Sequence, residues 1–221
     1  MKKIIVLFFL PLFAVFCLAA EKNEVRVALV FDDGPVPEDN APLLAVLKRE
    51  NLQATFSLVG KTASAHPAAA RAIVAAGHEV INHSLNHVHP GTLSDAELDN
   101  EVGGGQQAIT AAAGKAPRWY WPPFLERGER VQAAAKRAGI AVYELKHLVV
   151  SRDYDTSVKA DEIFRRATTD VQDGTVILFH EWRKETREQL PAIEAELRRQ
   201  GCRFMTFSEL ADALVPDLVA K

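Results

Sequence analysis

The sequence has few residues of the kinds that define several protein classes. Its 221 residues include only two cysteines, which excludes a disulfide framework. Lysine and arginine number 26 against 29 for aspartate and glutamate, and a formal net charge of −3 argues against a dedicated nucleic-acid-binding protein. Apolar residues, in contrast, make up 48% of the chain, which suits a globular core and excludes wholesale disorder.

The one long hydrophobic run lies at the amino terminus. Two lysines precede residues 4–18, which carry no charge, and two alanines follow. A basic start, an apolar centre and small residues before a polar segment are typical of a secretory signal peptide. The run is shorter than the roughly 20 residues that a membrane span needs. We therefore expect a signal peptide over residues 1–20 and an exported protein with no stable membrane span after cleavage; a retained anchor is the alternative.

The rest of the chain alternates between β-rich runs and alanine- and leucine-rich segments with helical periodicity. The predicted strands are residues 25–31, 53–59, 78–82, 117–121, 140–149, 174–179 and 202–206. Ser94 with Glu97, and Thr206 with Glu209, are capping-box pairs that predict helix starts. Three glycines at 103–105 are the weakest part of the helical pattern. Seven strands that each precede a helix predict an α/β fold with a parallel sheet, either open and doubly wound or closed into a barrel.

Polar side chains cluster after the predicted strands, where ligand sites of parallel α/β folds form. Asp32 and Asp33 follow the first strand. His83 and His87 follow the third, and His180 follows the sixth. One aspartate and two histidines four residues apart suit Zn²⁺ or a similar divalent ion, such as Co²⁺ or Ni²⁺. A metal would relieve the repulsion between the paired aspartates and leave one of them as a base; a turn that caps the next helix is the alternative reading.

Five short motifs occur in order at these strand ends. They are FDDGP at 31–35, HSLNH at 83–87, WPPF at 121–124, SRDY at 151–154 and LFH at 178–180. Together they resemble the polysaccharide deacetylases, the NodB-like family four of carbohydrate esterases, over about residues 25–213. The resemblance implies an irregular (β/α) barrel of about seven parallel strands. It also implies a metal-dependent hydrolase that removes acetyl groups from N-acetylglucosamine polymers, such as peptidoglycan or a chitin-like glycan, or from acetylxylan.

The resemblance also assigns a role to each matching residue. Asp32 would be the general base and His180 the general acid. The divalent metal, zinc first, would be held by Asp33, His83 and His87. The residues expected to contact the substrate are Leu178, Phe124, Pro123, Tyr154 and Trp121, with the Phe124 N–H at the oxyanion. Ser84 and Asp153 are expected to support the metal-binding loop and the acid–base machinery. The expected partner is an acetylated polysaccharide or oligosaccharide.

Two positions depart from the family pattern. Trp121 stands where the family usually has arginine, and Val150 stands where the fourth motif usually begins with aspartate. In the family that arginine holds the base, so Asp32 is expected to lose a cationic partner and Asp153 to lose its own. We interpret Arg118 as a surface arginine and Trp121 as a core tryptophan. Two alternatives stay open: a glycan-binding protein of the same fold without turnover, and a metal hydrolase of another acyl or amide substrate.

Overall fold

The computed structural model describes residues 24–142, 144 and 146–214 of the chain. The predicted signal peptide, residues 1–20, lies outside the described residues. Over these ranges the protein is an α/β structure with a six-stranded parallel sheet and eight α-helices. Of the helices described, none is long and apolar enough to cross a membrane.

Strands and helices alternate along most of the chain. The strands are β1 (Val25–Gly34), β2 (Thr55–Leu58), β3 (Glu79–Asn82), β4 (His147–Val150), β5 (Thr175–His180) and β6 (Cys202–Met205). The α-helices are α1 (Pro37–Arg49), α2 (Gly60–Ala65), α3 (Pro67–Ala75), α4 (Asp95–Ala113), α5 (Glu129–Arg137), α6 (Ala160–Thr168), α7 (Lys184–Arg199) and α8 (Phe207–Leu214). Short 3₁₀ turns lie at Pro90–Thr92 and Pro123–Leu125.

Strand β1 is the centre of the sheet, whose order is β3-β2-β1-β5-β4. Strand β5 pairs with β1 from Val27 to Asp32, and β6 pairs with the first residues of β1 while β2 pairs with the last. Because β5 overlaps both, β2 and β6 share the other edge of β1. The register places Asp32 directly beside His180, so the predicted base and acid lie at adjacent strand ends.

Alternate residues of β1 belong to two apolar clusters. The odd-numbered residues of Val27–Phe31 pack with apolar residues of α1, α3 and α7. The even-numbered residues pack in a second cluster, here called the inner cluster, which includes Trp121 and Leu178. Since strand side chains alternate between faces, Asp32 continues the second set. Its carboxyl therefore lies on the same face as the inner cluster.

Two of the seven predicted strands differ from the structure. Residues 117–121 form only two isolated bridges, one to β3 and one to Ala141. The strand predicted at 140–149 is confined to His147–Val150. Proline lacks the N–H that a ladder needs; Pro117 is the first residue of the segment at 117–121, and Pro122 follows it directly. The described sheet thus has six strands rather than seven, and its outer strands β3 and β4 do not pair with each other there.

The predicted helix boundaries are confirmed. Ser94 and Glu97 form a complete capping box at the start of α4. Thr206 and Glu209 exchange equivalent hydrogen bonds before α8. The glycines at 103–105 lie inside α4, which continues through them to Ala113.

Candidate active site

Two adjacent aspartates end strand β1, and both side chains reach the same cleft. In a regular strand they would point to opposite faces. Asp33 instead has a φ of 68°, and the pairing of β1 with β2 shifts register between Phe31 and Gly34. An irregularity of this kind re-aims a side chain. As a result, His83 Nε2 lies 3.7 Å from Asp32 Oδ2 and 3.6 Å from Asp33 Oδ1.

Asp33, His83 and His87 are the one group of potential metal ligands found among the described residues, and their ligand atoms all lie within 4.8 Å of one another. Asp33 Oδ1 is 3.3 Å from His87 Nε2 and 3.6 Å from His83 Nε2. A tetrahedral ion with bonds of about 2.1 Å separates its ligand atoms by about 3.4 Å. The spacing and the donor set of one carboxylate and two imidazoles therefore fit a divalent ion such as Zn²⁺.

Backbone groups orient the two histidines. His83 Nδ1 donates to the Trp121 carbonyl oxygen at 2.6 Å. Because a carbonyl only accepts, this nitrogen carries a proton, and Nε2 is the nitrogen that faces Asp33. Metal-binding histidines have this arrangement. The backbone N–H of His87 donates to Ser84 Oγ at 2.9 Å, so Ser84 holds the loop between the two histidines.

Helix α4 approaches the loop of residues 83–87 so closely that one position must be glycine. Asn82 Oδ1 accepts from the Ser84 N–H at 2.8 Å, and the Asn82 amide donates to the Val102 carbonyl at 2.9 Å. A Cβ on Gly105 would lie 2.7 Å from Asn82 Oδ1 and 2.7 Å from the Ser84 carbonyl carbon. Gly105, one of the glycines that weaken the helical pattern, thus allows α4 to lie directly against the loop of residues 83–87.

We expect Gly105→Ala to weaken Zn²⁺ binding about 10- to 100-fold, because the new methyl group displaces the loop that carries His83. Overpacking should also lower the free energy of unfolding by about 1–3 kcal/mol. Gly103→Ala is the matched control, since a Cβ there has no atom within 4 Å; helix propensity predicts a gain of up to about 1 kcal/mol. Calorimetric Zn²⁺ titration and urea unfolding measure both effects. Equal Zn²⁺ affinity in the two variants would contradict the contact.

The Asp32 carboxyl is 4% exposed and receives a hydrogen bond from an indole. Trp121 Nε1 donates to Asp32 Oδ2 at 3.0 Å. Asp32 Oδ1 is buried and has no partner within the described structure. Arg118, the arginine nearest in sequence, instead pairs with Asp212 on the surface, as expected. Asp32 therefore keeps one oxygen fixed and one oxygen free.

Asp153 holds the predicted acid. Its carboxylate accepts from His180 Nδ1 at 2.7 Å, from the His180 backbone N–H at 2.9 Å and from Thr186 Oγ1 at 2.7 Å. His180 and Thr186 thus stand as partners of Asp153 in place of the family arginine. Burial alone would lower the pKa of His180. The hydrogen bond from His180 to Asp153 and the charge of Asp153 instead raise it above its ordinary value. His180 Nε2 lies 4.0 Å from Asp33 Oδ2, beside the potential metal ligands.

The pKa values of the groups in the cluster shift in different directions. Burial alone would raise the pKa of Asp33, but the hydrogen bond and charge of His83 hold this pKa well below its usual range. Burial lowers the pKa of His87, and the charge of His83 adds to this effect. Burial raises the pKa of Asp32. An ionised Asp33 and a neutral His87 are the forms that bind a cation.

An open cleft of about 540 Å³ contains these groups. Its lining residues are Asp32, Asp33, His83, His87, Phe124, Leu125, Val150, Tyr154, Leu178 and His180. Phe124 and Tyr154 are each 50% exposed at this cleft, and their rings meet the His87 and His180 rings edge-on. The cleft thus combines a polar cluster with exposed aromatic faces and apolar side chains.

Two residues predicted to contact the substrate lie outside this lining. Trp121 is 2% exposed within the inner cluster, and Pro123 is also buried. The ring of Trp121 packs in the inner cluster and does not line the cleft, contrary to the expectation that it contacts the substrate. Val150 does line the cleft and pairs in register with Leu178. The departure at position 150 therefore makes this part of the cleft apolar.

Three residues that support the site were not singled out from the sequence. Trp182 Nε1 donates to Asp33 Oδ2 at 3.3 Å, and Thr186 donates to Asp153 as described above. Glu101 accepts from the backbone N–H and the side chain of Asn86, at 2.8 and 2.7 Å. Trp182 follows β5 closely, so its position after a strand end is a usable signal. No pattern marks Glu101, which lies in the middle of a helix.

Glu181 is a buried carboxyl next to His180. It is 1% exposed, and its Oε1 accepts from Asn40 Nδ2 at 2.9 Å. Its Oε2 has no hydrogen-bond partner in the part of the chain that the structure describes. Burial raises the pKa of Glu181 to about 7.

This carboxyl should make stability depend on pH. Between its ordinary pKa of 4.5 and its folded pKa of about 7, the folded state keeps a proton that the unfolded state releases, so stability falls as pH rises. At about 1.4 kcal/mol per pKa unit, the loss above pH 7 is about 3 kcal/mol. We expect Glu181→Gln to exceed the wild type by about this amount at pH 8 and to match it at pH 4.5. Urea unfolding at several pH values measures the difference, with Glu188→Gln at an exposed position of α7 as the control. A difference that does not grow with pH would refute the prediction.

Comparison with known proteins gives one consistent family. Residues 19–143 match the family model described as polysaccharide deacetylase. The chain is 30% identical over 191 residues to a peptidoglycan-N-acetylglucosamine deacetylase of Bacillus cereus, with 85% of this chain and 89% of the relative covered. It is 31% identical over 201 residues to a chitooligosaccharide deacetylase of Bradyrhizobium sp., with 90% of each covered.

Solved structures agree with this family. A family 4 carbohydrate esterase from Streptomyces lividans in complex with acetate has a TM-score of 0.75 and 32% identity, over 83% of this chain and 92% of that one. A family 4 pseudoenzyme from Bacillus anthracis has a TM-score of 0.79 and 27% identity, over 86% of this chain and 66% of that one. A mutant of that protein is described as having restored enzymatic activity. By the family match, the relatives and the fold, this chain belongs to the polysaccharide deacetylase family.

Proposed function

We propose that this protein is a metal-dependent hydrolase that removes acetyl groups from a glycan of N-acetylglucosamine units. The observation that carries the proposal is the meeting, in one cleft, of a three-residue ligand set, a buried carboxylate with a free oxygen and a histidine fixed by an aspartate. The names of the Bacillus cereus and Bradyrhizobium relatives support this substrate class.

The chain's own groups divide the work of amide hydrolysis. Asp33, His83 and His87 would hold the metal, which when bound supplies a Lewis acid that polarises the acetyl carbonyl and activates water. Asp32 accepts a proton at Oδ1, the oxygen that has no other partner. His180 donates a proton from Nε2 to the departing amine, while Asp153 holds Nδ1. The Phe124 backbone N–H is proposed as the donor to the oxyanion.

The finer assignments follow from the same arrangement. Zinc is the proposed metal, because two imidazoles and one carboxylate are among its usual ligands. Leu178 is proposed to contact the acetyl methyl group, with Phe124 and Tyr154 contacting the sugar. Residues 1–20 are proposed as a signal peptide that directs export to the cell envelope or beyond, followed by one catalytic domain over residues 25–213.

Acetate release tests the proposal. Purified protein is expected to release acetate from chitooligosaccharides or from peptidoglycan, to lose this activity on treatment with a chelator and to regain it with Zn²⁺. Asp33→Ala should abolish both the activity and Zn²⁺ binding, because it removes the carboxylate of the ligand set. Acetylxylan and simple acyl esters complete the panel.

The same panel decides between the proposed activity and the two alternatives. If the Zn²⁺-loaded protein binds glycan without releasing acetate, it is a non-catalytic glycan-binding protein. The protein of similar fold from Bacillus anthracis is described as a pseudoenzyme. Activity on acyl esters alone would favour a different hydrolase. Either result would sink the proposal of glycan deacetylation.

A further inference from the structure

We infer that the indole of Trp121 is the group that positions Asp32, and that a neutral N–H donor does this in place of a cation. The inference rests on the proposed function, in which Asp32 accepts a proton. It assigns a positioning residue, since Trp121 is buried and does not line the cleft.

The first observation is that the indole is the one hydrogen-bond donor found for the Asp32 carboxyl within the described ranges. Trp121 Nε1 lies 3.0 Å from Oδ2, and Oδ1 has no partner. Two arginines lie near Trp121 or Asp153 in the sequence, and both bond to other residues. Arg118 bonds to Asp212, and Arg152 bonds to Asp155. Among the described residues, no guanidinium bonds to Asp32, so the indole takes the orienting role.

The second observation is that the indole has little freedom to point anywhere else. The ring packs edge-on against Phe207 with centroids 5.6 Å apart, inside the inner cluster. The backbone on both sides is fixed: the Trp121 N–H donates to the Asn82 carbonyl at 2.8 Å, and the Trp121 carbonyl accepts from His83 Nδ1. A buried indole N–H needs an acceptor, and Asp32 supplies it.

These contacts give one residue two separable tasks. The Trp121 carbonyl orients a metal ligand, and the Trp121 side chain orients the base. By fixing Oδ2, the indole leaves Oδ1 of Asp32 as the proton acceptor. Removing only the N–H should therefore affect turnover while leaving the ligand set intact.

Trp121→Phe is the variant that tests this separation, because it keeps a buried aromatic ring and the backbone carbonyl. We expect kcat for acetate release to fall about 10- to 100-fold, with KM and Zn²⁺ content unchanged. Trp119→Phe is the matched control. Trp119 lies in the same cluster, also meets Phe207 edge-on and donates its indole N–H to Ser208 Oγ at 2.9 Å, away from the cleft.

A second readout needs no turnover. In ¹⁵N-labelled protein the indole N–H signal that is missing from Trp121→Phe identifies Trp121. This signal should shift in Asp32→Ala, and the Trp119 signal should stay in place. An unshifted Trp121 signal, a Trp121→Phe variant with wild-type kcat, or a loss of kcat that follows a loss of Zn²⁺ would each overturn the inference. Failure of the wild type to release acetate would instead count against the proposed function, and the spectroscopic result would still decide the contact.

Discussion

Replacing Asp32 by asparagine is expected to lower kcat for acetate release by about 10²- to 10⁴-fold, the usual contribution of a general base. Asparagine has nearly the same shape, and its side-chain oxygen can still accept from the Trp121 indole. Its NH₂ group, however, takes the place of Oδ1, the carboxylate oxygen without a partner. The variant therefore keeps the position of the side chain and loses the site that accepts a proton.

Stability should move in the opposite direction from activity. Burial raises the pKa of Asp32, which means that the buried site disfavours its charge. A neutral asparagine removes this unfavourable charge, so the variant should unfold at an equal or higher temperature than the wild type. Initial rates and thermal melts measure the pair of effects, with Asp161→Asn, exposed on the first turn of α6, as the matched control. A variant with low activity and a lower melting temperature would indicate structural damage rather than loss of a base.

Asp153→Asn is the second change with a large expected effect. The Asp153 carboxylate is fully buried and receives three donors, two of them from His180. The NH₂ group of an asparagine here would face one of these three N–H or O–H donors. His180 would then change its orientation, or its proton would move from Nδ1 to the other ring nitrogen. An equivalent aspartate-to-asparagine change in a catalytic triad costs about 10⁴ in kcat. We expect a loss of about 10²- to 10⁴-fold here, with Zn²⁺ affinity unchanged.

The pH profile distinguishes this role from a general loss of packing. Asp153 raises the pKa of His180, and the acid must be protonated to act. Without the negative charge the pKa of His180 falls, so the alkaline limb of the kcat profile should move to lower pH. Thr186→Val, which removes one donor to the same carboxylate and keeps the charge, should leave that limb nearly in place. An alkaline limb that stays fixed in Asp153→Asn would contradict the assignment of His180 as the acid.

Much of the site could be predicted because chemistry-bearing residues follow strands, and parallel strands end at one edge. This rule places Asp32, Asp33, His83 and His180 together without any knowledge of contacts, and the structure brings all four within one cleft. Hydrophobic periodicity likewise predicts most helices, and the capping box of α4 predicts its first residue. These features are local or depend only on the order of the elements.

What could not be predicted depends on side-chain direction across distant segments. No pattern shows that the Trp121 indole points to Asp32, 89 residues away, or that Asp153 turns to His180. The segment at 117–121 has the composition of a strand, but it forms only bridges, with Pro117 as its first residue and Pro122 directly after it. Gly105 in α4 violates helix propensity because it lies against the loop of residues 83–87, which is a tertiary contact. Local rules fail here at positions that serve the site.

The positive backbone dihedral at Asp33 is shared by Ser84, His87 and Phe124, with φ values of 68°, 59° and 56° respectively. Branching at Cβ is strongly disfavoured in this region, while aspartate and histidine are among the residues that enter it most readily. Valine, isoleucine and threonine are thus excluded from these positions by the main chain, before any question of ligand chemistry arises. In a saturation mutagenesis experiment, intolerance of such residues here would report on conformation, and only substitutions such as asparagine or glycine would isolate the demand for the functional group.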